Sequence, residues 1–411
     1  MKTIPVNLGV KFCGVKFNNP FILSAAPPTD DLDMLKRGLE MGWAGAVLKT
    51  TSVEKNKVEL VYPMISGLSF ENKKVVGMGN IDLISEHHID LVEKRIEALK
   101  KEFGNERVIA ASIMGAKKED WQHLVKRLKA AGVDIIECSF SCPQGSMGEV
   151  PGAMLAQSVP ATEMVTRWVK DAARKTPVVI KITPMVADIV AVANAARKGG
   201  ADAICASNTI PSLMGIDIEN LIPNPNVAGK TTYSGLSGPA IKPITLKVIS
   251  ELSKTVGLPI TGTGGATNWI DALEFILCGA TTVQFCTAVM HYGYDIIEDL
   301  CEGLAFYMEE KGISKVGDLI GKSLPYIVGH DDLSRKNRVT SNIDLKKCVR
   351  CGLCYYACQD GGHQAIELGR ERKPEVDEEK CFGCGLCLSA CPIDDCIELK
   401  ESEKPRKIAT V

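Results

Sequence analysis

Residues 134–145 read DIIECSFSCPQG. A short run rich in β-branched and apolar residues stops, and Ser141-Cys142-Pro143 follows at once. Such a run reads as a strand buried on both faces, which is how strands of a parallel sheet look. Cys142 then stands just past the C-terminal end of that strand. Taken alone it reads equally as a small buried hydrophobe, because free cysteine is among the most buried residue types.

The same design recurs along the chain. Further apolar runs lie at FILSAA (21–26), GAVLKT (45–50), VIAASIMG (108–115), PVVIKIT (177–183), AICASN (203–208), PITGTGG (259–265) and TVQFCTAV (282–289). Amphipathic stretches such as DMLKRGLEMG, DWQHLVKRLKAAG and IVAVANAARKGG separate them, and several close on glycine, as helix C-termini do. Eight strands alternating with helices in about 300 residues predict an α/β fold, a closed (β/α)8 TIM barrel. A doubly wound open sheet competes, but no strand leads into a G-x-G-x-x-G turn. Polar or special residues mark the strand ends: Ser24, Lys49, Cys142, Lys181, Asn208, Gly264 and Gly265. Barrel enzymes carry their chemistry at that end. A strand end meeting water needs some polar residues anyway, but two lysines closing apolar strands exceed that need.

Bulk properties narrow the function. The 411 residues are 45% hydrophobic and 24% charged, with a formal net charge of −2. A nearly neutral chain lacks the basic footprint of a nucleic-acid binder. No apolar run reaches membrane-spanning length. MKTIPVNLGVKF lacks the apolar centre of a signal peptide, so a cytoplasmic protein is expected.

Sixteen cysteines are unevenly placed, nine of them between Cys348 and Cys396. CVRCGLCYYAC (348–358) and CFGCGLCLSACP (381–392) both have the spacing C-x2-C-x2-C-x3-C. In the bacterial two-cluster run with this spacing, the fourth cysteine of each run ligates the other cluster. The expectation is therefore one [4Fe-4S] cluster on Cys348, Cys351, Cys354 and Cys391, and a second on Cys381, Cys384, Cys387 and Cys358. A zinc site is the competing reading, but it needs only four ligands and rarely repeats this spacing. Cys396 falls outside the pattern and reads as core. The expected domains are a barrel over 1–310, a helical closing segment and linker over 311–341, and a ferredoxin-like domain over 342–411. Within the closing region, YDIIEDLCEGLAFYMEEKG and VGDLIGKSLPYI read as helices.

Two clusters imply one-electron traffic, and a flavin converts single electrons into a two-electron reaction. TGTGGATNWIDALEFILCG offers Gly262, Gly264 and Gly265 before a helix, and the next strand ends in Cys286-Thr287-Ala288. Loops after the seventh and eighth strands form the usual phosphate site of this barrel. Lys49 and Lys181 read as cations at the barrel mouth, able to stabilise a reduced flavin; the plainer alternative is a pair of snorkelling lysines.

In order along the chain, NIDLIS (80–85), SFSCPQG, KITP (181–184), SNT (207–209), TTYSGLSG (231–238), GTGG and QFCTAV resemble the dihydroorotate dehydrogenase/dihydropyrimidine dehydrogenase flavoprotein family. The two-cluster tail narrows the resemblance to the PreA-type subunits of bacterial dihydropyrimidine dehydrogenase, and the resemblance covers nearly the whole chain. It implies FMN in the barrel, with contacts from Ser24, Ala25, Lys49, Thr50, Lys181, Gly235, Gly264, Gly265, Cys286 and Thr287. It implies substrate contacts from Asn80, Ser141, Asn208 and Thr209, and it makes Cys142 the group that moves a proton. Two positions depart from the family pattern. Ser139 stands where an asparagine is usual, and Asp82 where a glutamate is usual, both in the substrate pocket. The implied activity is reversible reduction of the 5,6 double bond of uracil or thymine. The implied partner is a PreT-like subunit with FAD and an NAD(P) site, in a heterotetramer; ferredoxin is an alternative electron donor. Two other functions stay open: a flavin-dependent reductase or oxidase of another cyclic amide or alkene, including a dihydroorotate-type one, and an electron-transfer subunit with an inactive barrel.

Overall fold

The computed structural model describes residues 6–53, 60–70, 74–82, 84–140 and 155–402. The chain divides into two compact units, Met1–Ile327 and Val328–Val411.

Eight parallel strands close a barrel in the first unit: β1 (Phe21–Leu23), β2 (Gly45–Thr51), β3 (Val108–Ile113), β4 (Ile135–Ser139), β5 (Val178–Ile182), β6 (Ala203–Ala206), β7 (Ile260–Thr263) and β8 (Ala280–Phe285). Each pairs with its chain neighbour, and β8 returns to β1 through Val283 opposite Phe21. All eight sit on the apolar runs that the sequence marks. Every residue of β2, β3, β4 and β5 is buried, as strands walled in on both faces must be.

Eight helices follow the strands: α1 (Leu32–Met41), α2 (Ile89–Phe103), α3 (Lys118–Ala130), α4 (Val159–Ala173), α5 (Ile189–Gly199), α6 (Lys242–Thr255), α7 (Trp269–Leu277) and α8 (Ile296–Glu310). Their starts are chemically fixed. Asp31, Asp188 and Asn268 cap α1, α5 and α7 by accepting backbone N–H bonds from the first turn. Each such cap contributes about 1 kcal/mol. Gly42 and Gly200 end α1 and α5 at φ +118° and +96°, a conformation glycine adopts without a Cβ penalty. Leu35, Trp121, Leu124 and Val165 bury the inner helix faces against the barrel wall. Trp43 is fully buried, packs edge-on against Phe285 at 5.6 Å and donates its indole N–H to Tyr294 O at 2.8 Å. That contact ties the entry to α8 back to β2 and stabilises the closure by roughly 2–3 kcal/mol of apolar burial.

Two additions shape the ends of the barrel. A hairpin of Val10–Phe12 and Val15–Phe17 plugs the N-terminal end, where Phe12 and Phe17 line a small cavity with Ile22, Val108 and Ile135. A four-stranded antiparallel sheet is built from excursions after β2 and β6: Ile65–Phe70, Lys74–Asn80, Ser234–Ser237 and Ile210–Ser212. The stretch VGDLIGKSLPYI departs from the sequence-based expectation. It forms 3-10 turns at Val316–Asp318 and Leu324–Tyr326 instead of a helix, because Gly317 and Gly321 and Pro325 interrupt any continuous α ladder.

The second unit is two copies of one plan. Helices Leu353–Gly361 and Leu386–Ala390 each begin within a cysteine run and carry its later cysteines Cys354, Cys358 and Cys387. Val339–Ile343 pairs antiparallel with Ile397–Glu401, and Ile366–Leu368 pairs with Pro374–Val376. No helix among the described residues is long and apolar enough to cross a membrane.

Candidate active site and cluster sites

The C-terminal ends of the barrel strands carry the residues that the sequence singles out. Ser24 follows β1, Lys49 and Thr50 lie near the end of β2, Ser139 closes β4, and Lys181 is the penultimate residue of β5. Asn208 and Thr209 follow β6, Gly264 and Gly265 follow β7, and Cys286 follows β8. Ser141 and Cys142 lie outside the described residues.

One cluster forms around Lys49. Its ammonium is 7% exposed and pairs with the Asp82 carboxylate, itself 1% exposed, with Asp30 at 3.7 Å. Asn80 Oδ1 accepts the Asp82 backbone N–H at 2.7 Å, so the NID turn folds back and aims the carboxylate at the lysine. Asp82 Oδ1 is buried and has no hydrogen-bond partner among the described residues. A buried acceptor of this kind costs free energy until a donor meets it. Thr50 turns its hydroxyl to Ser112 at 2.8 Å, and Ala25 packs half-buried against the core beside Ser24.

A second cluster forms around Lys181. Its ammonium reaches Ser24 Oγ at 3.4 Å and Glu137 at 3.7 Å. Gln284 accepts the Ser24 hydroxyl at 3.1 Å and donates its amide to Glu137 at 2.9 Å. Four strands thus supply one closed polar ring inside the barrel. Ser139 sits opposite Lys181 in the β4–β5 register and is buried.

The antiparallel sheet brings a third group together. Asn80 lies opposite Gly235, and Gly235 lies opposite Pro211. A Cβ on Gly235 would stand 2.4 Å from Thr209 Oγ1, so only glycine lets that threonine approach. Thr209 donates its backbone N–H to Asn208 Oδ1 at 2.8 Å.

The loops after β7 and β8 hold the last group. Gly264 and Gly265 adopt φ of +123° and +100°. A Cβ on Gly265 would meet Lys242 N, at the start of α6, at 2.6 Å. Successive backbone N–H groups at a turn of positive φ can form an anion cradle. Thr287 opens the short helix Thr287–Tyr292 and donates its hydroxyl to Ser237 at 2.8 Å, which joins the β8 loop to the antiparallel sheet. Burial pushes the Cys286 thiol up to about 11, against the opposing pull of the Lys181 and Lys49 charges. Both ammoniums are therefore felt at one point of the mouth.

These residues fit a flavin nucleotide. Two buried cations, a pair of glycines at positive φ and small or hydrogen-bonding groups gather at the C-terminal ends of the barrel strands. The sequence reading missed Glu137 and Gln284. The signal was present, since a carboxylate inside the buried strand IIECS is out of place in an apolar run.

In the second unit, Cys348, Cys351, Cys354 and Cys391 line one cavity, and Cys358, Cys381, Cys384 and Cys387 line another. Those are the two sets expected from the spacing. Helix Leu353–Gly361 carries Cys354 to the first cavity and Cys358 to the second. Among the described residues no three His, Cys, Asp or Glu side chains group around a single ion position. The cysteines instead ring a space, as a cage with one thiolate per iron requires. Backbone N–H groups of Arg350, Ala365 and Ser341 point at Cys348, Cys358 and Cys381 sulfur at 3.3–3.4 Å. Burial pushes the Cys354 thiol up to about 11, so holding it as a thiolate would take a cation such as iron to offset the desolvation. The donor set fits iron–sulfur clusters. Cys396 is buried, donates its thiol to Asp344 O at 3.7 Å and lines the first cavity as a further sulfur.

A barrel with this mouth, joined in one chain to a unit whose two cavities are lined by four cysteines each and a further Cys396, defines an oxidoreductase of the iron–sulfur flavoenzyme class. The chain belongs to the dihydroorotate dehydrogenase family, whose model matches residues 7–308, and a 4Fe-4S dicluster domain model matches residues 341–399. It is 40% identical over 400 residues to the NAD-dependent dihydropyrimidine dehydrogenase subunit PreA of Escherichia coli K12, covering 96% of each chain. The chloroplastic dihydropyrimidine dehydrogenase (NADP(+)) of Arabidopsis thaliana is 34% identical over 358 residues, covering 84% of this chain and 83% of the relative. The catalytic subunit of dihydroorotate dehydrogenase B (NAD(+)) from Pyrococcus horikoshii is 33% identical over 327 residues, 77% of this chain and 98% of the relative.

Proposed function

We propose that this protein reduces the 5,6 double bond of uracil or thymine, reversibly, as the FMN and iron–sulfur subunit of a larger enzyme. The observation that carries the reading is the kinship with the E. coli subunit over 96% of both chains, which spans the barrel and the cluster unit together.

FMN bound at the mouth supplies the hydride for one alkene carbon. Lys49 and Lys181 hold positive charge where reduction makes the flavin negative. Gly264, Gly265 and Thr287 take its phosphate, and Ser24, Ala25, Thr50, Gly235 and Cys286 line the rest. Asn80, Asp82, Ser139, Ser141, Asn208 and Thr209 orient the substrate ring, whose N–H groups would meet acceptors such as the partnerless Asp82 Oδ1. The Cys142 thiol gives its proton to the carbon next to the one that receives hydride, and its thiolate takes that proton back in the oxidative direction. Cys348, Cys351, Cys354 and Cys391 hold one [4Fe-4S] cluster, and Cys358, Cys381, Cys384 and Cys387 hold the other. A partner subunit with FAD and an NAD(P) site, PreT-like and in a heterotetramer, feeds electrons in, since this chain lacks a dinucleotide fingerprint of its own.

The test is an anaerobic assay with a reduced low-potential dye as donor and uracil or thymine as acceptor. Dihydropyrimidine should form, and Cys142→Ala should cut the rate by about 100-fold or more. A second reading, a related cyclic amide as substrate, is favoured by Ser139 and Asp82, which shorten two pocket side chains. Uracil activity that is absent from the native protein and created by Ser139→Asn would select it.

A further inference from the structure

Glu137 is 1% exposed and lies inside the barrel beside Gln284, Lys181 and the Cys205 thiol. A carboxylate in such a place is expensive unless it is paired. Its hydrogen bond to Gln284 does not need a charge, because an amide oxygen at the same position would accept it equally well. Neither does the space beneath, where Thr261 and otherwise apolar side chains such as Val179 and Phe17 line the cavity. The cation that responds to the charge itself is the Lys181 ammonium, 3.7 Å away and hydrogen-bonded to Ser24, while the neighbouring Cys205 thiol is only pushed further toward its neutral form.

We propose that Glu137 is a positioning residue that acts through Lys181, anchoring its ammonium and offsetting part of its charge, and so setting how strongly the site favours reduced flavin. The inference rests on the FMN reading above. Lys49 has its own carboxylate in Asp82, so both cations of the mouth come with a buried counter-ion. Each counter-ion lowers the net positive charge that a reduced flavin would meet. Gln284 completes the device by fixing the carboxylate and the Ser24 hydroxyl together.

The experiment uses the full-length holoprotein, equilibrated anaerobically with a reference dye of known potential while the flavin absorbance is followed. Glu137→Gln keeps the shape and removes the charge. It should raise the equilibrium constant for flavin reduction by about tenfold, with FMN content unchanged. Glu137→Asp keeps the charge but draws it back from Lys181 by one methylene, and should raise that constant by a smaller factor. If Glu137→Gln does not fold, Glu137→Asp decides alone. An unmoved constant in a folded, FMN-loaded variant, or a lowered one, overturns the inference and leaves the FMN reading standing. Wild-type protein that takes up no FMN overturns both.

Discussion

The Lys49 ammonium and the Asp82 carboxylate form a buried ion pair between β2 and the excursion that leaves it for the antiparallel sheet. Asp82→Asn leaves the ammonium with Asp30 at 3.7 Å as its remaining carboxylate. Removing one partner of a buried pair costs about 3 kcal/mol, mostly for the stranded charge. Urea unfolding followed by tryptophan fluorescence should show that loss in Asp82→Asn. The double variant Lys49→Met with Asp82→Asn should recover at least about 1 kcal/mol relative to the sum of the singles. Strict additivity would mean that the two side chains do not depend on each other.

Gly265 is a position in the strand-end loops where added atoms do harm. Its φ of +100° is strained for alanine, and the new Cβ would press on the Lys242 backbone at 2.6 Å. The cost of such a conformation is about 1–3 kcal/mol. Because the strain falls in the proposed phosphate cradle, Gly265→Ala should bind FMN about tenfold more weakly or worse, while the barrel retains its far-UV circular dichroism. FMN titration of the apoprotein reads this directly. Unchanged affinity would remove that loop from the cofactor site.

The crossed cysteine sets make a prediction that sequential sets would not. Cys358 is the fourth cysteine of the first run but lines the cavity of the second, and Cys391, the fourth of the second run, lines the cavity of the first. Cys358→Ser should therefore disturb the cluster proposed for Cys381, Cys384 and Cys387, and Cys391→Ser the one proposed for Cys348, Cys351 and Cys354. Electron paramagnetic resonance of the two dithionite-reduced variants should lose different signals, with iron content falling to about half in each. Loss of the same signal from both variants would refute the crossing.

The sequence makes the scaffold legible for a physical reason. Buried parallel strands are short and nearly all apolar, so the runs around Ile22, Val47, Ile180 and Val283 stand out, and each became a barrel strand. Cysteine spacing is equally plain, because loop geometry around a cage leaves little freedom between Cys348, Cys351 and Cys354. The antiparallel sheet over Asn80 and Gly235 is harder to see. Its strands are short and half-exposed, and the pairing of Lys74–Asn80 with Ser234–Ser237 that joins its halves spans more than 150 intervening residues. Glu137 and Gln284 hide for another reason. Each sits alone in an apolar strand, and its partner is visible only when β4 and β8 face each other across the barrel.

Buried thiols give the protein an alkaline limit whose sign can be worked out. Burial pushes Cys301 on α8 and Cys13 up to about 12, from an ordinary value of 9.0. A thiol raised in this way keeps its proton in the native state while the unfolded chain loses it. Its contribution is fully present below about pH 9 and is lost as pH rises toward the folded value. Each pH unit in that window removes up to about 1.4 kcal/mol per thiol. Cys301 is packed with Leu300, Leu304 and Ala305 in the core, so Cys301→Ala takes the titration away and leaves a small cavity. Compared with its own stability at about pH 8, the Cys301→Ala protein should lose about 2 kcal/mol less than wild type on going to about pH 11. Urea midpoints across that range test it. Parallel curves for the two proteins would show that Cys301 ionises as readily folded as unfolded, and that solvent reaches the inner face of α8.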